Sequence, residues 1–190
     1  AIKAHYLWFE RRMSIPPGEE NPLAGPIDHL TVIVLLSSDI HRGTLEGLET
    51  ARAFVEGRKN STLRALHIEI DPEKTKRLVT KWEKLVKPYI GHMIHLDIVP
   101  SPYRQLIPPV MQYIQRLDDE RGDDRIVVLL PEFETGGFWT HLLHNQTAPR
   151  LRQALFQMPN VTVITNRFFM HDENAPHFRR RRRKRARPVS

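Results

Sequence analysis

Apolar runs rich in β-branched residues alternate along the chain with stretches in which apolar residues recur every three to four positions. Strands that are apolar throughout are typical of a parallel sheet covered by helices on both faces. The runs predict five strands, near residues 30–37, 62–69, 92–98, 125–131 and 161–166. The other stretches predict helices near 42–57, 72–87, 103–121 and 139–157. Pro108 and Pro109 predict a kink or a late start in the third helix.

This alternation predicts an α/β fold, a doubly wound five-stranded parallel sheet with right-handed crossovers in a flavodoxin-like order. Strand four is expected beside strand one, so that the loops after both strands meet at the switch point where ligands bind. Asp71-Pro72-Glu73 predicts the start of the second helix, with an N-cap, a proline at the first helical position and an acid in the first turn.

The two ends of the chain differ in composition from this alternating region. Residues 1–14 place aromatic residues before cations, which is typical of a juxtamembrane segment or of an amphipathic helix packed on the domain. Residues 15–28 are rich in proline and glycine and predict a linker. We expect the α/β domain over residues 29–170 and a disordered, arginine-rich tail over residues 171–190.

The isoelectric point near 10 reflects that tail. Arg179–Arg187 holds 8 of the 29 basic residues, and the remaining 21 face 22 acidic residues, so the folded part is about neutral. The tail is suited to anionic lipid or to RNA, although it also serves simply as a solubilising end; nucleic acid is the less favoured partner. The absence of cysteine excludes disulfides and thiol catalysis, and no apolar run of about 18 residues is present.

Polar side chains crowd the turn after the first predicted strand. Hydroxyls and backbone amides there suit a phosphate, and the carboxylate suits a ribose or a base, which predicts a ligand pocket; the alternative is ordinary capping of the first helix. The residues are Ser37, Ser38, Asp39, His41, Arg42 and Thr44.

Two further groups follow the third and fourth predicted strands. Tyr103 and Arg104 are suited to stack on a base or pair with a phosphate, or they belong to an ordinary helix start. After strand four, Asn145 and Thr147 are expected to cap a helix whose amino end points into the same cleft as the first turn. His141 and His144 lack a third metal ligand at diagnostic spacing, and the familiar phosphate-loop and nucleophile motifs are missing. We therefore expect no enzyme and no metal.

The strand–turn–helix order and the segment from His144 to Arg152 resemble the universal stress protein fold. In that family, glycine-rich segments after strand four hold ATP phosphates, whereas His144-Asn145-Gln146-Thr147 stands at the corresponding place here. A more specific resemblance, to the cytosolic C-terminal domains of bacterial APC-superfamily permeases, covers about residues 28–170. These permeases are amino-acid-permease-like transporters and include KUP-related potassium importers. Four phrases carry that resemblance: Asp39–Thr44, Ser101–Arg104, Leu130–Phe133 and His141–Thr147.

The resemblance implies a universal-stress-protein-like domain on the cytoplasmic face of the cell membrane, joined to the transmembrane part of the same polypeptide. It also implies a homodimer and inhibition by cyclic di-AMP, with ATP or AMP as less favoured ligands. The expected function is nucleotide sensing and dimerisation in a transporter for potassium or amino acids. The alternatives are a free-standing stress-type ATP/AMP-binding protein and a purely structural dimerisation module. The expected ligand contacts are Ser37, Ser38, Asp39, His41, Arg42, Thr44, Tyr103, Arg104, His144, Asn145, Thr147 and Arg150.

Overall fold

A single parallel sheet of five strands forms the centre of the fold, in the order β3-β2-β1-β4-β5. A computed structural model describes residues 14, 27, 29–121, 125–133 and 147–168. The predicted doubly wound α/β fold is confirmed, and so is the adjacency of strands one and four. In this order β4 lies beside β1, where flavodoxin itself has its third strand.

Most predicted elements are present within a few residues of their expected bounds. The strands are β1 (Leu30–Leu36), β2 (Ser61–Glu69), β3 (Ile94–Pro100), β4 (Arg125–Phe133) and β5 (Val161–Phe168). The helices are α1 (Arg42–Val55), α2 (Pro72–Leu85), α3 (Lys87–Ile90), α4 (Ile107–Arg121) and α5 (Thr147–Leu155). Of the helix expected over 139–157, residues 139–146 lie outside the described residues.

Local chemistry explains where the helices begin and end. The Asp71 carboxylate accepts hydrogen bonds from the backbone amides of Glu73 and Lys74, so the predicted N-cap of α2 is confirmed. α1 ends two residues earlier than expected and is followed by Gly57, whose φ of 78° suits glycine. α4 starts late, at Ile107, because its two prolines fit only the first turn, where no amide partner is needed.

The helix expected over 72–87 is present but ends two residues early, and a second, short helix that the sequence did not predict follows it. α2 ends at Leu85, and α3 starts at Lys87 with a proline, Pro88, in its first turn. Pro88 has no backbone N–H and cannot continue the hydrogen-bond ladder of α2, so the chain begins a new helix there. β3 then starts at Ile94, two residues later than expected, because residues 91–93 form a turn.

Both faces of the sheet are buried, as the apolar strand sequences predict. On one face, β1 packs against α1 and α2 through residues such as Leu48, Leu78 and Trp82. On the other face, β1 and β4 pack against α4 and α5 through Ile114 and Leu151. Every residue of β1 is buried. Because all five strands are parallel, their carboxyl ends lie along one edge of the sheet, which is where ligands bind in folds of this class.

Several predictions lie outside the described residues. These are the juxtamembrane segment over most of residues 1–14, most of the linker over 15–28, and the arginine-rich tail over 171–190. Across the described ranges, no helix combines the length and apolar character needed to span a bilayer.

Candidate functional site

The loop between β1 and α1 lies at the carboxyl edge of the sheet and holds most of the predicted ligand residues. Ser37 is buried, and its hydroxyl donates a hydrogen bond to the backbone carbonyl of Asp39 at 3.1 Å. One Asp39 carboxylate oxygen accepts the backbone amide of Ile40 at 2.8 Å. The same oxygen pairs with the Lys81 ammonium of α2 at 2.6 Å. The loop is therefore fixed to α2 as well as to α1.

His41 is the N-cap of α1, a position that serine, threonine, aspartate and asparagine usually occupy. Its Nδ1 accepts a hydrogen bond from the backbone amide of Thr44 at 3.3 Å. The Thr44 hydroxyl accepts the His41 backbone amide at 3.5 Å in return, which completes a reciprocal capping box. Two of the predicted ligand residues thus also stabilise the helix start, which is the alternative considered from the sequence.

Electrostatics favours the neutral form of His41. Burial lowers its pKa, the Asp39 carboxylate opposes that lowering, and the Lys81 ammonium adds to it. The capping hydrogen bond also favours the neutral form, because Nδ1 accepts from the Thr44 amide only while it carries no proton. His41 therefore joins α1 to the loop most firmly when it is neutral.

Arg42 opens α1, and its side chain is exposed. A cation in the first turn faces the positive end of the helix dipole, so helix stability does not account for it. The first turn of α1 also contains no acidic residue. The amino end of α1 is thus electropositive, a surface that attracts anions.

A small cavity lies beside the same loop, between β2 and the start of α2. It has room for about one water molecule, and Ser38 borders it from the loop side. The other residues that line it are His67, Ile68, Ile70, Asp71 and Lys74. The cavity is too small for a nucleotide, so a large ligand would have to lie over the loop rather than inside it.

His67 is a buried polar group at this edge, with 3% of its surface exposed. Its Nε2 lies 3.1 Å from the Thr75 hydroxyl of α2. Burial lowers its pKa, whereas the backbone carbonyls of Leu36 and Ser37 and the Glu69 carboxylate oppose that lowering. Nδ1 of His67 has no hydrogen-bond partner among the described residues, so these carbonyls act on the ring through their partial charge rather than through a hydrogen bond. His67 therefore links β2 to α2.

The loop after β3 carries Tyr103 and Arg104 at the same edge of the sheet, but away from the β1 loop. β2 lies between β3 and β1, so the two loops start about 10 Å apart. Tyr103 is 84% exposed, and the Arg104 side chain is also exposed. Arg104 has a φ of 54°, in the left-handed region that a long side chain rarely adopts.

Tight local hydrogen bonds hold this loop. The Ser101 hydroxyl donates to the Gln105 carbonyl at 2.7 Å and accepts the Gln105 amide at 3.0 Å. The Arg104 amide donates to the Ser101 carbonyl at 3.0 Å. The contacts described for this loop do not include the β1 loop. Tyr103 and Arg104 were expected to share a ligand with the β1-loop residues, but within one protomer the two loops are separate.

The fourth-strand group is only partly described. α5 begins at Thr147, and Arg150 lies in its first turn with an exposed side chain. As the crossover helix between β4 and β5, α5 starts at the edge where the strands end, next to the switch point. The predicted ligand residues His144 and Asn145 lie outside the described residues. In the described part of the chain, no group of three or more metal-binding side chains is close enough to hold an ion.

Sequence reasoning missed the contribution of α2 to this site. Lys74 borders the cavity, Lys81 pairs with Asp39, and Thr75 contacts His67. A signal was present, because Lys74, Arg77 and Lys81 recur at helical spacing along one side of the predicted second helix. The pairing of that side with the β1 loop depends on tertiary packing, which no local pattern contains.

Comparison with known proteins gives a family and a relative. Residues 28–168 match the family described as "KimA potassium transporter C-terminal domain". The chain is 25% identical over 167 residues to the Bacillus subtilis protein named "Potassium transporter KimA". The match covers 87% of this chain and 25% of that relative, so the chain spans about a quarter of the relative's length.

Proposed function

Because the chain belongs to the family of KimA potassium transporter C-terminal domains, we propose that it is the regulatory domain of a potassium transporter. The observation that carries this proposal is the family match over residues 28–168, which includes every described strand and helix. The domain lies on the cytoplasmic face of the membrane, and the transmembrane part of the same polypeptide carries the ion. The family name favours potassium over amino acids as the transported solute.

The regulatory ligand is a nucleotide, with cyclic di-AMP favoured over ATP and AMP. Four features support this proposal: the switch point between β1 and β4, the polar β1 loop, the exposed Arg42 and the electropositive start of α1. The cations Lys74 and Lys81 of α2 add to the positive charge around the loop. The site has no catalytic role, and the domain is not an enzyme.

Arg42 and Arg150 pair with the phosphates in this proposal, because guanidinium groups bind phosphate in a bidentate manner. They lie at the starts of α1 and α5, on the two sides of the switch point. Tyr103 and Arg104 of one protomer lie on a loop that starts about 10 Å from the β1 loop, so a ligand that contacts both groups has to extend across that distance. A dinucleotide, or a second protomer across a two-fold axis, spans that distance better.

The domain is a homodimer in this account, with one cyclic di-AMP for each pair of protomers. A two-fold symmetric ligand matches a two-fold symmetric interface, since each half meets the same residues. Ligand binding then shifts the transporter by its different affinity for two arrangements of the domains. The arginine-rich tail, Arg179–Arg187, adds contact with anionic lipid because a basic run of this length is attracted to an anionic leaflet.

Calorimetric titration of the chain with cyclic di-AMP, ATP and AMP in parallel tests the ligand. The account predicts saturable binding of cyclic di-AMP at one ligand per two chains. Binding of ATP or AMP alone would favour a stress-type nucleotide-binding protein. Absence of heat with all three nucleotides would favour a structural dimerisation module.

Arg42→Ala tests the site within the same titration. We expect the variant to bind cyclic di-AMP at least about tenfold more weakly, since a charge-assisted contact contributes about 1.5–3 kcal/mol. Its melting temperature should stay that of the parent chain, because Arg42 is exposed at a helix start. Arg52→Ala is the matched control, since Arg52 is a half-exposed arginine in the last turn of the same helix. Equal affinity in the two variants would remove Arg42 from the site.

A further inference from the structure

The second helical region, α2 with α3, concentrates positive charge in a chain that is otherwise slightly acidic. Residues 72–90 contain six basic residues and two acidic ones. Outside this region and the arginine-rich tail, 15 basic residues face 20 acidic residues. The basic residues here are Lys74, Lys76, Arg77, Lys81, Lys84 and Lys87.

The outward face of α2 is the centre of this charge. Leu78 and Trp82 point into the core, whereas Arg77 and Lys84, two turns apart on the opposite side, are exposed. Neither cation has an ion-pair partner among the residues that the structure describes. Lys76 and Lys87 pair with Glu73 and Glu83, but these surface pairs are exposed and exchange easily.

Two large side chains with apolar surface are exposed where α2 ends and α3 follows. Leu85 is 45% exposed, and Tyr89 in α3 is 75% exposed. Cations beside a tyrosine and a leucine are the combination found at membrane–water interfaces, where the phenol ring sits at the headgroup level and the cations meet lipid phosphates. We call the exposed side chains of Arg77, Lys84, Leu85 and Tyr89 the basic surface.

We propose that the basic surface docks on the anionic lipid headgroups of the membrane beside which the domain lies. The inference rests on the proposed function, because it requires a membrane close to the domain. Charge complementarity selects this partner, since each cation near an anionic leaflet is attracted to it within a Debye length. A soluble acidic protein would satisfy the cations but gives no reason for the exposed Leu85 and Tyr89 at one end.

The basic surface and the candidate ligand site are connected by one helix, α2. Lys81 of α2 pairs with Asp39 of the β1 loop at 2.6 Å, and Thr75 of α2 contacts His67. Lys81 lies one helical turn from both Arg77 and Lys84, so the side of α2 that meets the lipid also holds the loop. A ligand that moves the loop therefore also changes how the basic surface is presented to the membrane.

The first test is site-resolved fluorescence on the full chain, which contains no cysteine and so accepts one label at a chosen position. A polarity-sensitive dye on a Tyr89→Cys variant should shift to the blue with phosphatidylglycerol vesicles and stay unchanged with phosphatidylcholine vesicles. The same dye on a Tyr103→Cys variant is the matched control, since Tyr103 is equally exposed but lies at the opposite edge of the sheet. Failure of the chain to bind the anionic vesicles overturns the proposal. If the chain binds the vesicles but the emission of the dye at Tyr89→Cys does not shift, the proposal is overturned as well, and the arginine-rich tail is the part that contacts the lipid.

The second test compares two charge reversals by vesicle co-sedimentation. Arg77→Glu should weaken binding to phosphatidylglycerol vesicles at least about fivefold more than Arg116→Glu does, because only Arg77 lies on the basic surface. Arg116 is an exposed arginine of α4 on the other side of the sheet. Equal weakening overturns the proposal. So does unchanged vesicle binding with loss of self-association in sedimentation velocity, which would assign the surface to a second copy. Nucleotide titration needs no vesicles, so failure of the ligand proposal is seen separately.

Discussion

At the scale of single residues, Asp97 of β3 is the clearest polar contact that stabilises the fold away from the site. One of its carboxylate oxygens accepts the Tyr113 hydroxyl at 2.7 Å and the Arg64 guanidinium at 3.1 Å. Burial and the Asp97 carboxylate both raise the pKa of Tyr113, so the phenol stays protonated and donates. The three side chains join β2, β3 and α4 beside β3, which is the last strand on that side of the described sheet.

Asp97→Ala should destabilise the domain by about 2–4 kcal/mol, because it leaves a partly buried guanidinium and a buried hydroxyl without an acceptor. Tyr113→Phe should cost only about 1 kcal/mol, since the ring remains and only one hydrogen bond is lost. Asp119→Ala is the control, because Asp119 is exposed and should change the free energy of unfolding by less than about 0.5 kcal/mol. Urea denaturation measures all three. A loss for Asp97→Ala no larger than that of the control would contradict this role.

The two histidines at the site predict an acid-sensitive fold. Burial lowers the pKa of both His41 and His67 below the 6.5 of an exposed histidine. The unfolded chain therefore binds protons more readily than the folded one. The stability contributed by their neutral forms is present above pH 6.5 and is lost as the pH falls through the lower folded pKa values. The Glu69 carboxylate opposes the lowering of the His67 pKa, and Asp71 and Lys74 line the cavity beside that ring.

Denaturant titrations between pH 5 and pH 8 measure this effect. We expect the free energy of unfolding to fall below pH 6.5, with a slope of up to about 1.4 kcal/mol per pH unit for each histidine. His67→Gln should reduce the slope. The same slope in His67→Gln as in the parent chain would show that His67 does not carry the effect.

At the scale of elements, the caps and prolines of the helices could be predicted, and the contacts between helices could not. The apolar runs predicted all five strands, most clearly β1, whose residues are all buried, whereas the edge strand β3 has one buried residue, Ile94. α2 and α3 are separate because Pro88 has no backbone N–H to continue the helix. The apolar spacing continues past this proline, so the pattern alone does not indicate two helices. The Lys81–Asp39 pair joins residues 42 positions apart and appears only once the helix is packed.

The Asp71 cap gives a prediction at this scale. Asp71→Ala should destabilise the domain by about 1 kcal/mol, because the backbone amides of Glu73 and Lys74 lose their acceptor. Glu73→Ala provides the control in the same turn: it removes an exposed i,i+3 ion pair with Lys76, which is worth at most about 0.5 kcal/mol. Thermal melts followed by circular dichroism distinguish the two. A smaller loss for Asp71→Ala than for Glu73→Ala would contradict the assigned cap.

At the scale of the whole molecule, the sheet order brings the carboxyl ends of β1 and β4 to one switch point, and the family match covers all of the described sheet. The sequence predicted the adjacency of these strands because parallel strands with right-handed crossovers allow few orders. It did not predict that Tyr103 and Arg104 stand two strands away from the β1 loop. The two loops are separated because β2 lies between β1 and β3, and this strand order depends on tertiary packing rather than on any local sequence pattern.

The central claim is that this domain regulates a potassium transporter in response to a nucleotide. Rubidium uptake into proteoliposomes containing the full-length transporter, with and without cyclic di-AMP, tests it most directly. The account predicts that cyclic di-AMP lowers the uptake rate, that Arg42→Ala restores it, and that Arg52→Ala remains inhibited like the parent protein. Rubidium uptake that ignores cyclic di-AMP in all three proteins would contradict the claim.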